Sequence, residues 1–366
     1  MSAEQSVQLH VGDKTVPAQL LMRSPKGRNQ PTLYIHNTSV LDIRTTLPNF
    51  EHCITVDRLR LYTVAASLVF CSRQYFIQQP IQMRTLLSTV PDASEILPVL
   101  LSVGYMASAA RLAGGFRNIG RPLIADHNVK GMSAADYNIK EIDPFEDKST
   151  IQFGRREVSV HANRLSLLWQ TMRSKVIEHF PDIQPTAVDV QAYLLKLEDK
   201  FVSDAYHSLF IEDYKVTPEL IERVKKGQWN PEQSDEHKKH LDGMAVKGYW
   251  DAFAKVKNSV EQVLQGKNSG EVLEADHLDW YLALFGPSVV AGIARQSDLA
   301  GYRTGPVFIR QSKHTPPNKE ALRDMMPTLF DLLMQEKNGP VRIVLGHFMF
   351  VYIHHISMVM AVWADS

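Results

Sequence analysis

Between residues 6 and 40 apolar and polar side chains alternate, and turn signals stand at VGDK (11–14) and SPKGRNQP (24–31). A period of two places alternate side chains on one face of a sheet. SVQLHV (6–11), VPAQLLM (16–22) and TLYIHN (32–37) are therefore predicted strands. From residue 57 the period lengthens. DRLRLYTVAASLVFC (57–71) and SEILPVLLSVGYMASAARLAGGFRNIGR (94–121) repeat apolar residues at three- and four-residue spacing and are predicted helices. In the second, Ala107, Ala110, Ala113, Gly114 and Gly115 form a small-residue surface suited to close helix contact. Arg111, Arg117 and Arg121 lie on the same stretch. The ordinary reading of these arginines is a solvated helix face, and the sharper one is a weak nucleic-acid or partner patch.

EIDPFEDKSTIQFGRREVS (141–159) is polar and irregular, which predicts a domain boundary, with 146–159 as linker. Beyond it the pattern is almost wholly helical. The helical segments are 163–180, 186–213, 217–227, 247–266, 274–286, 318–336 and the stretch from Gly339 to His354. Thr217–Pro218 is a start signal, a capping hydroxyl followed by proline at the first helical position, and Gly227 is a stop. GYRTGPVFIRQS (301–312) breaks the helical pattern. Val307 and Ile309 alternate with Phe308 and Arg310 after a Thr-Gly-Pro turn, which predicts a small β-hairpin.

The chain has 366 residues, enough for two domains and a substantial core. Lys plus Arg and Asp plus Glu both count 40, so no net field steers the whole molecule toward nucleic acid or an anionic membrane. Cys53 and Cys71 form no CxxC pair and are expected as buried free thiols. No signal-peptide pattern opens the chain. The last helix is interrupted by Arg342, His347 and His354 and is too short to span a bilayer. A soluble cytoplasmic protein is expected.

Three segments in order carry a resemblance: AGYRTGPVFIRQSKHTPP (300–317), a helix with an internal Pro327, and GPVRIVLGHFMFVYIH (339–354). Together they resemble the core of the Fic (Fido) family of AMP-transferring enzymes over about residues 275–354. There, an AG-x-[YF]-R segment opens a hairpin flap, and a later helix ends in H-x-x-F-V-x-I-H-P-[FY]-x-[DE]-G-N-G-R. Gly301, Tyr302 and Arg303 match the flap's opening. His347, Phe350, Val351, Ile353 and His354 match the helix at the right spacing. Upstream, DAYHSLFIEDYKVT (204–217) is similar to the inhibitory helix that some Fic proteins carry, with pattern [S/T]-x-x-x-E-[G/N]. Ser208 and Glu212 fit it, one above the other on a helix face, and Asp213 departs from it.

The resemblance implies a mainly α fold: a helical Fic-like core (275–366) with a β-hairpin flap, a helical region (160–274) carrying the inhibitory helix at 204–214, and a smaller α/β N-terminal domain (1–145). It implies AMP transfer from ATP to a protein hydroxyl. His354 would be the base that takes the hydroxyl proton, a role suited to an imidazole. Val307, Phe308 and Ile309 would receive a target segment as an added strand. Glu212 would pair with an active-site arginine and block the ATP γ-phosphate. ATP and Mg²⁺ would be held by a carboxylate and a Gly-Asn-Gly-Arg turn after the histidine.

This chain departs from the family at that point. After His354 it reads HISMVMAVWADS, without the proline, the carboxylate or the glycine turn. Back-translation supplies a cause. One nucleotide out of frame, Met-Val, Met-Ala and Trp-Ala codons yield three glycines at the family's spacing. With one cytosine restored in codon 355 the segment can read H-P-Y-I-D-G-N-G-R-M-G-R. A frameshift at residue 355 is therefore expected, leaving His354 without the phosphate nest, with no residues predicted as metal ligands and with ATP and Mg²⁺ not productively bound. The lineage is that of an adenylyltransferase, and this chain is expected to be inactive. A non-catalytic regulatory or interaction protein is the alternative. A protein substrate is implied as partner, and neither nucleic acid nor a membrane is expected.

Overall fold

The computed structural model describes residues 1–45, 48–149, 151, 153, 159–180, 189–211, 214–229, 241–292, 302–303, 305–309 and 312–355. The fold is mainly helical, with a small strand-containing region near the N-terminus. The chain divides into two compact units. The first joins Met1–Val176 with Val307–Thr328, and the second joins Ile177–Pro306 with the stretch from Leu329 onward.

In the first unit, α1 (Ala3–His10) replaces the strand predicted at 6–11. The Ser2 side chain accepts from Gln5 N at 3.2 Å and caps the helix. Ala3, Val7 and Val11 are buried at four-residue intervals. That helical spacing outweighs the Val7/Leu9/Val11 alternation. β1 (Gln19–Ser24) and β2 (Pro31–Tyr34) overlap the next two predicted strands. β3 (Thr38–Arg44) lies between them, parallel to β1 and antiparallel to β2. β4 (Cys53–Val56) and β5 (Leu59–Tyr62) form a hairpin whose two turn residues, Asp57 and Arg58, both have positive φ (48° and 65°). The segment 57–71, predicted as one helix, thus opens with the hairpin turn and the four residues of β5. Its helical part is α2 (Val64–Phe70), capped by Thr63 accepting from Ala66 N.

α3 (Arg73–Gln78), α4 (Pro80–Ser88), α5 (Leu97–Val103), α6 (Met106–Asn118) and α7 (Pro122–Ala134) follow. The long helix predicted at 94–121 breaks at Gly104, whose φ of +66° is a left-handed C-cap. Leu68, Phe76, Met83, Leu86, Leu87, Leu100, Leu112 and Phe116 are buried in the core. Each large side chain so placed stabilises by roughly 1.5–3 kcal/mol. Phe145 and Phe153 join the same core. The small-residue surface of α6 receives both irregular chain and a helix: a Cβ on Gly114 would stand 2.2 Å from Ile142 O, and one on Gly115 would stand 3.1 Å from Leu87 of α4. Ile142 N donates to Ala110 O at 3.1 Å.

The arginines of 111–121 are held internally. Arg111 donates to Cys71 O and Arg117 pairs with Asp126 and Glu141, while Arg121, just before α7, donates to the carbonyls of Ser88 at the end of α4 and of Val90 and Pro91. Both cysteines are free; Cys71 is buried as expected, but Cys53 is partly exposed.

In the second unit, α8 (Val160–His179), which begins in the first, is followed by α9 (Val190–Ile211), α10 (Pro218–Lys225), α11 (Leu241–Leu264) and α12 (Ser269–Val290). Thr217 Oγ1 accepts from Leu220 N, and Gly227 stops α10 with φ +67°, as the sequence predicts. Phe201 packs against Trp250 and Phe253, each at 4.7 Å between ring centroids. α11 and α12 meet at Gly248, where a Cβ would lie 1.9 Å from Leu284 O. α13 (Lys319–Gln335), which begins in the first unit and ends in the second, and α14 (Gly339–Ile353) follow. Asn338 caps α14, and its buried stripe is Val341, Leu345, Met349 and Ile353, spaced by four.

Of the hairpin predicted at 301–312, residues 301, 304, 310 and 311 lie outside the described residues. Among the described residues 302–303 and 305–309 there is no strand. Pro306 has no N–H to give a ladder, Arg303 Nη1 takes Gly305 O at 3.0 Å, and Ser312 N closes a turn on Ile309 O at 3.0 Å. The alternation survives only in exposure: Phe308 is open, with Val307 and Ile309 half-buried. Among the described residues no helix is long and apolar enough to cross a membrane.

Candidate functional site at the end of α14

The site begins with a helix terminus. The last carbonyls of any α-helix lack partners inside it. Here His354 ends α14 in the left-handed region (φ 47°, ψ 56°), with its N–H returned to Phe350 O at 3.0 Å. A histidine in that region is less stable than glycine would be. Arg303 fixes the arrangement. Its Nε donates to His354 O at 2.6 Å, its Nη2 to Ile353 O at 3.5 Å, and its backbone N–H to His355 O at 2.9 Å. Arg303 is 4% exposed, and burial lowers its pKa from the ordinary arginine value. A cation at a helix C-terminus also faces the negative end of the helix dipole.

A ring cluster surrounds the terminus. His355 is buried, with its ring 4.2 Å from Phe350 and 5.6 Å from Tyr302. Its Nε2 has no hydrogen-bond partner among the described residues. Burial, followed by His277, His354 and Arg303, pushes its pKa down to about 3, so the ring is neutral at ordinary pH. His277, on α12, lies 5.0 Å from Phe330 and 6.2 Å from His355. Its Nδ1 faces Leu273 O at 3.0 Å and Glu274 O at 2.9 Å. Two carbonyls require Nδ1 to carry the proton, so Nε2 is an acceptor. Tyr302 Oη donates to it at 3.4 Å. Burial, with a smaller contribution from Glu274, raises the Tyr302 pKa.

The sequence-derived residues divide accordingly. Tyr302, Arg303 and His354 come together. Ser208 lies elsewhere in this unit, its hydroxyl donating to Tyr249 Oη at 3.2 Å, while the Tyr249 hydroxyl donates to Asp204 at 2.7 Å. Burial pushes the Tyr249 pKa up to about 12. Glu212 and Gly301 lie outside the described residues. Val307, Phe308 and Ile309 group with the first unit. His277 went unnamed in the sequence, because a lone histidine in an apolar helical pattern carries no motif. His355 stood there only as a departure from proline.

The described residues do not fit a magnesium nucleotide. A triphosphate needs N–H donors and unshared cationic charge. This helix end presents carbonyl oxygens, and the Arg303 guanidinium is held by them and by Gly305 O. Among the described residues no three His, Cys, Asp or Glu side chains converge to hold a metal ion.

No protein-family model matches the chain, and no curated protein matches it.

Proposed function

We propose that the chain descends from Fic-type protein adenylyltransferases and that, in the form given, it does not transfer AMP. The observation that carries this reading is the contact between Arg303 and His354, 51 residues apart. One belongs to the segment matched to the flap's opening, and the other ends the segment matched to the catalytic helix. Two of the segments that carry the resemblance thus contribute to one hydrogen-bonded site. In this reading His354 is the retained base, Val307–Ile309 are the remnant of a target-binding flap, and Ser208 and Glu212 belong to an inhibitory helix. ATP with Mg²⁺ is the ancestral cosubstrate, and a protein hydroxyl is the ancestral acceptor. The inactivity follows from what stands after His354: the residues that would meet phosphate and metal are replaced by HISMVMAVWADS. Phosphoryl transfer depends mostly on positioning and charge stabilisation, so a base alone gives little.

The lineage is tested at the gene. The coding DNA should lack one cytosine at codon 355, with an open Fic reading resuming in the shifted frame. Expression of the restored frame should label protein with AMP in a His354-dependent manner, and more strongly with Glu212→Gly. A restored protein that folds and labels nothing, with or without that substitution, would sink the assignment.

A non-catalytic interaction protein is the second reading. It is favoured by the outward side of α14, where Ile343 is 74%, Val351 48% and Phe348 43% exposed. An apolar face of that kind marks an interaction surface in many soluble proteins.

A further inference from the structure

The first unit contains a concavity of about 380 Å³ between the end of β1 and the β4–β5 hairpin. Its size falls in the range of small-molecule sites. Arg23 on β1, Arg58 in the hairpin turn and Arg60 on β5 line it, with Leu59, Leu61 and Cys53. Among the described residues none of the three arginines forms an ion pair with a carboxylate. Asp57 directly follows β4 in the hairpin turn, and Glu51, two residues before the strand, is hydrogen-bonded to Asn49 Nδ2 at 2.6 Å. Arg23 Nη1 donates to Tyr62 Oη at 3.3 Å, and the Arg60 guanidinium lies 5.0 Å over the Phe50 ring. Arg58 is held in the left-handed region at φ 65°, where glycine or asparagine is usual in such turns. Three like charges that share one concavity repel one another, and among the described residues no carboxylate ion-pairs with them.

We propose that this concavity binds a phosphorylated small molecule. Guanidinium forks match the oxygens of a phosphate, and the apolar residues between them match an organic body. A phosphate monoester carries about −2 at neutral pH and balances most of the local charge, whereas a monocarboxylate leaves two arginines unmatched. The chain's net charge of zero and the small size of the concavity favour a small anion over a nucleic-acid strand.

Cys53 supplies the readout, since it lines the concavity and is partly exposed while Cys71 is buried. The full-length protein is alkylated with iodoacetamide while phenyl phosphate is titrated at constant ionic strength. Labelling at Cys53, identified by its disappearance in Cys53→Ser, should be lost saturably with phenyl phosphate. It should persist with phenol or with sodium chloride. In Arg58→Gln/Arg60→Gln, whose replaced side chains are exposed, the protection should vanish while the melting curve stays unchanged. Protection equal to that from chloride, protection that survives the double substitution, or protection by a single-stranded oligonucleotide but not by phenyl phosphate would overturn the proposal. Should the double variant fail to fold, the comparison of phenyl phosphate with phenol and chloride on the unaltered protein still decides it.

Discussion

The guanidinium of Arg303 donates to the backbone carbonyl of His354 at 2.6 Å and closes the C-terminal end of α14. This contact sets the geometry of the ring cluster, because the Arg303 backbone also holds His355 through its carbonyl. Arg303→Ala should destabilise the second unit by about 2–4 kcal/mol, through loss of charged hydrogen bonds and exposure of unpaired carbonyls. Lysine should not restore the loss, since an ammonium cannot present the guanidinium's divergent donors. Urea melts of the two variants beside the unaltered chain measure both effects.

Acid should loosen the same cluster. Near and above pH 7 the His355 ring is neutral both folded and unfolded, and its stabilising packing is fully present. As pH falls below the unfolded value of about 6.5, the unfolded chain takes a proton that the folded ring refuses until about pH 3. Stability should therefore drop progressively across that window, by about 2 kcal/mol at pH 5 from this group. The groups facing His355 are His277, His354 and Arg303. His161, whose pKa burial also lowers, acts in the same direction in the first unit. The difference between the unaltered chain and His355→Leu, in urea melts at pH 7.5 and pH 5, isolates the contribution.

Gly248→Ala should separate α11 from α12, because the new Cβ would meet Leu284 O, a backbone atom that cannot step aside. The expected loss is about 2–3 kcal/mol. Gly227→Ala meets nothing within 4 Å and suffers only from its φ of +67°. It should lose about 1 kcal/mol. Thermal melts that rank the two variants the other way would contradict this packing.

Thr217→Ala removes the side chain that caps α10. A loss of about 1 kcal/mol is expected, and Thr217→Ser should recover most of it. Equilibrium unfolding of the two variants is the check.

The helical half of the molecule was legible because its signals are local. Thr217, Pro218 and Gly227 bound α10 where the sequence predicts, and the three- and four-residue spacing after 160 fixes helices at nearly every predicted segment. The N-terminal region was harder. At 6–11 an alternating reading and a four-residue spacing coexist, and the burial of Val7 and Val11 on the core decides for helix. At 57–62 the Asp57–Arg58 turn lacks the glycine or asparagine that would have announced a hairpin. Tyr302, Arg303 and His354 are named from the resemblance alone. His277 and His355 could not be named, since their importance comes from packing that joins α12 to the end of α14. The alternation at 307–309 suggested a strand pair, but strand pairing needs backbone donors, and Pro306 withholds one.

The central claim is most directly tested with ATP labelled in the α-phosphate. The purified chain is incubated with Mg²⁺, with and without a cell extract to supply acceptor proteins, beside its His354→Ala variant. The account predicts no protein-bound label above background in either. Label on the chain or on an acceptor that disappears in His354→Ala would contradict it, by showing that the residues present suffice for AMP transfer.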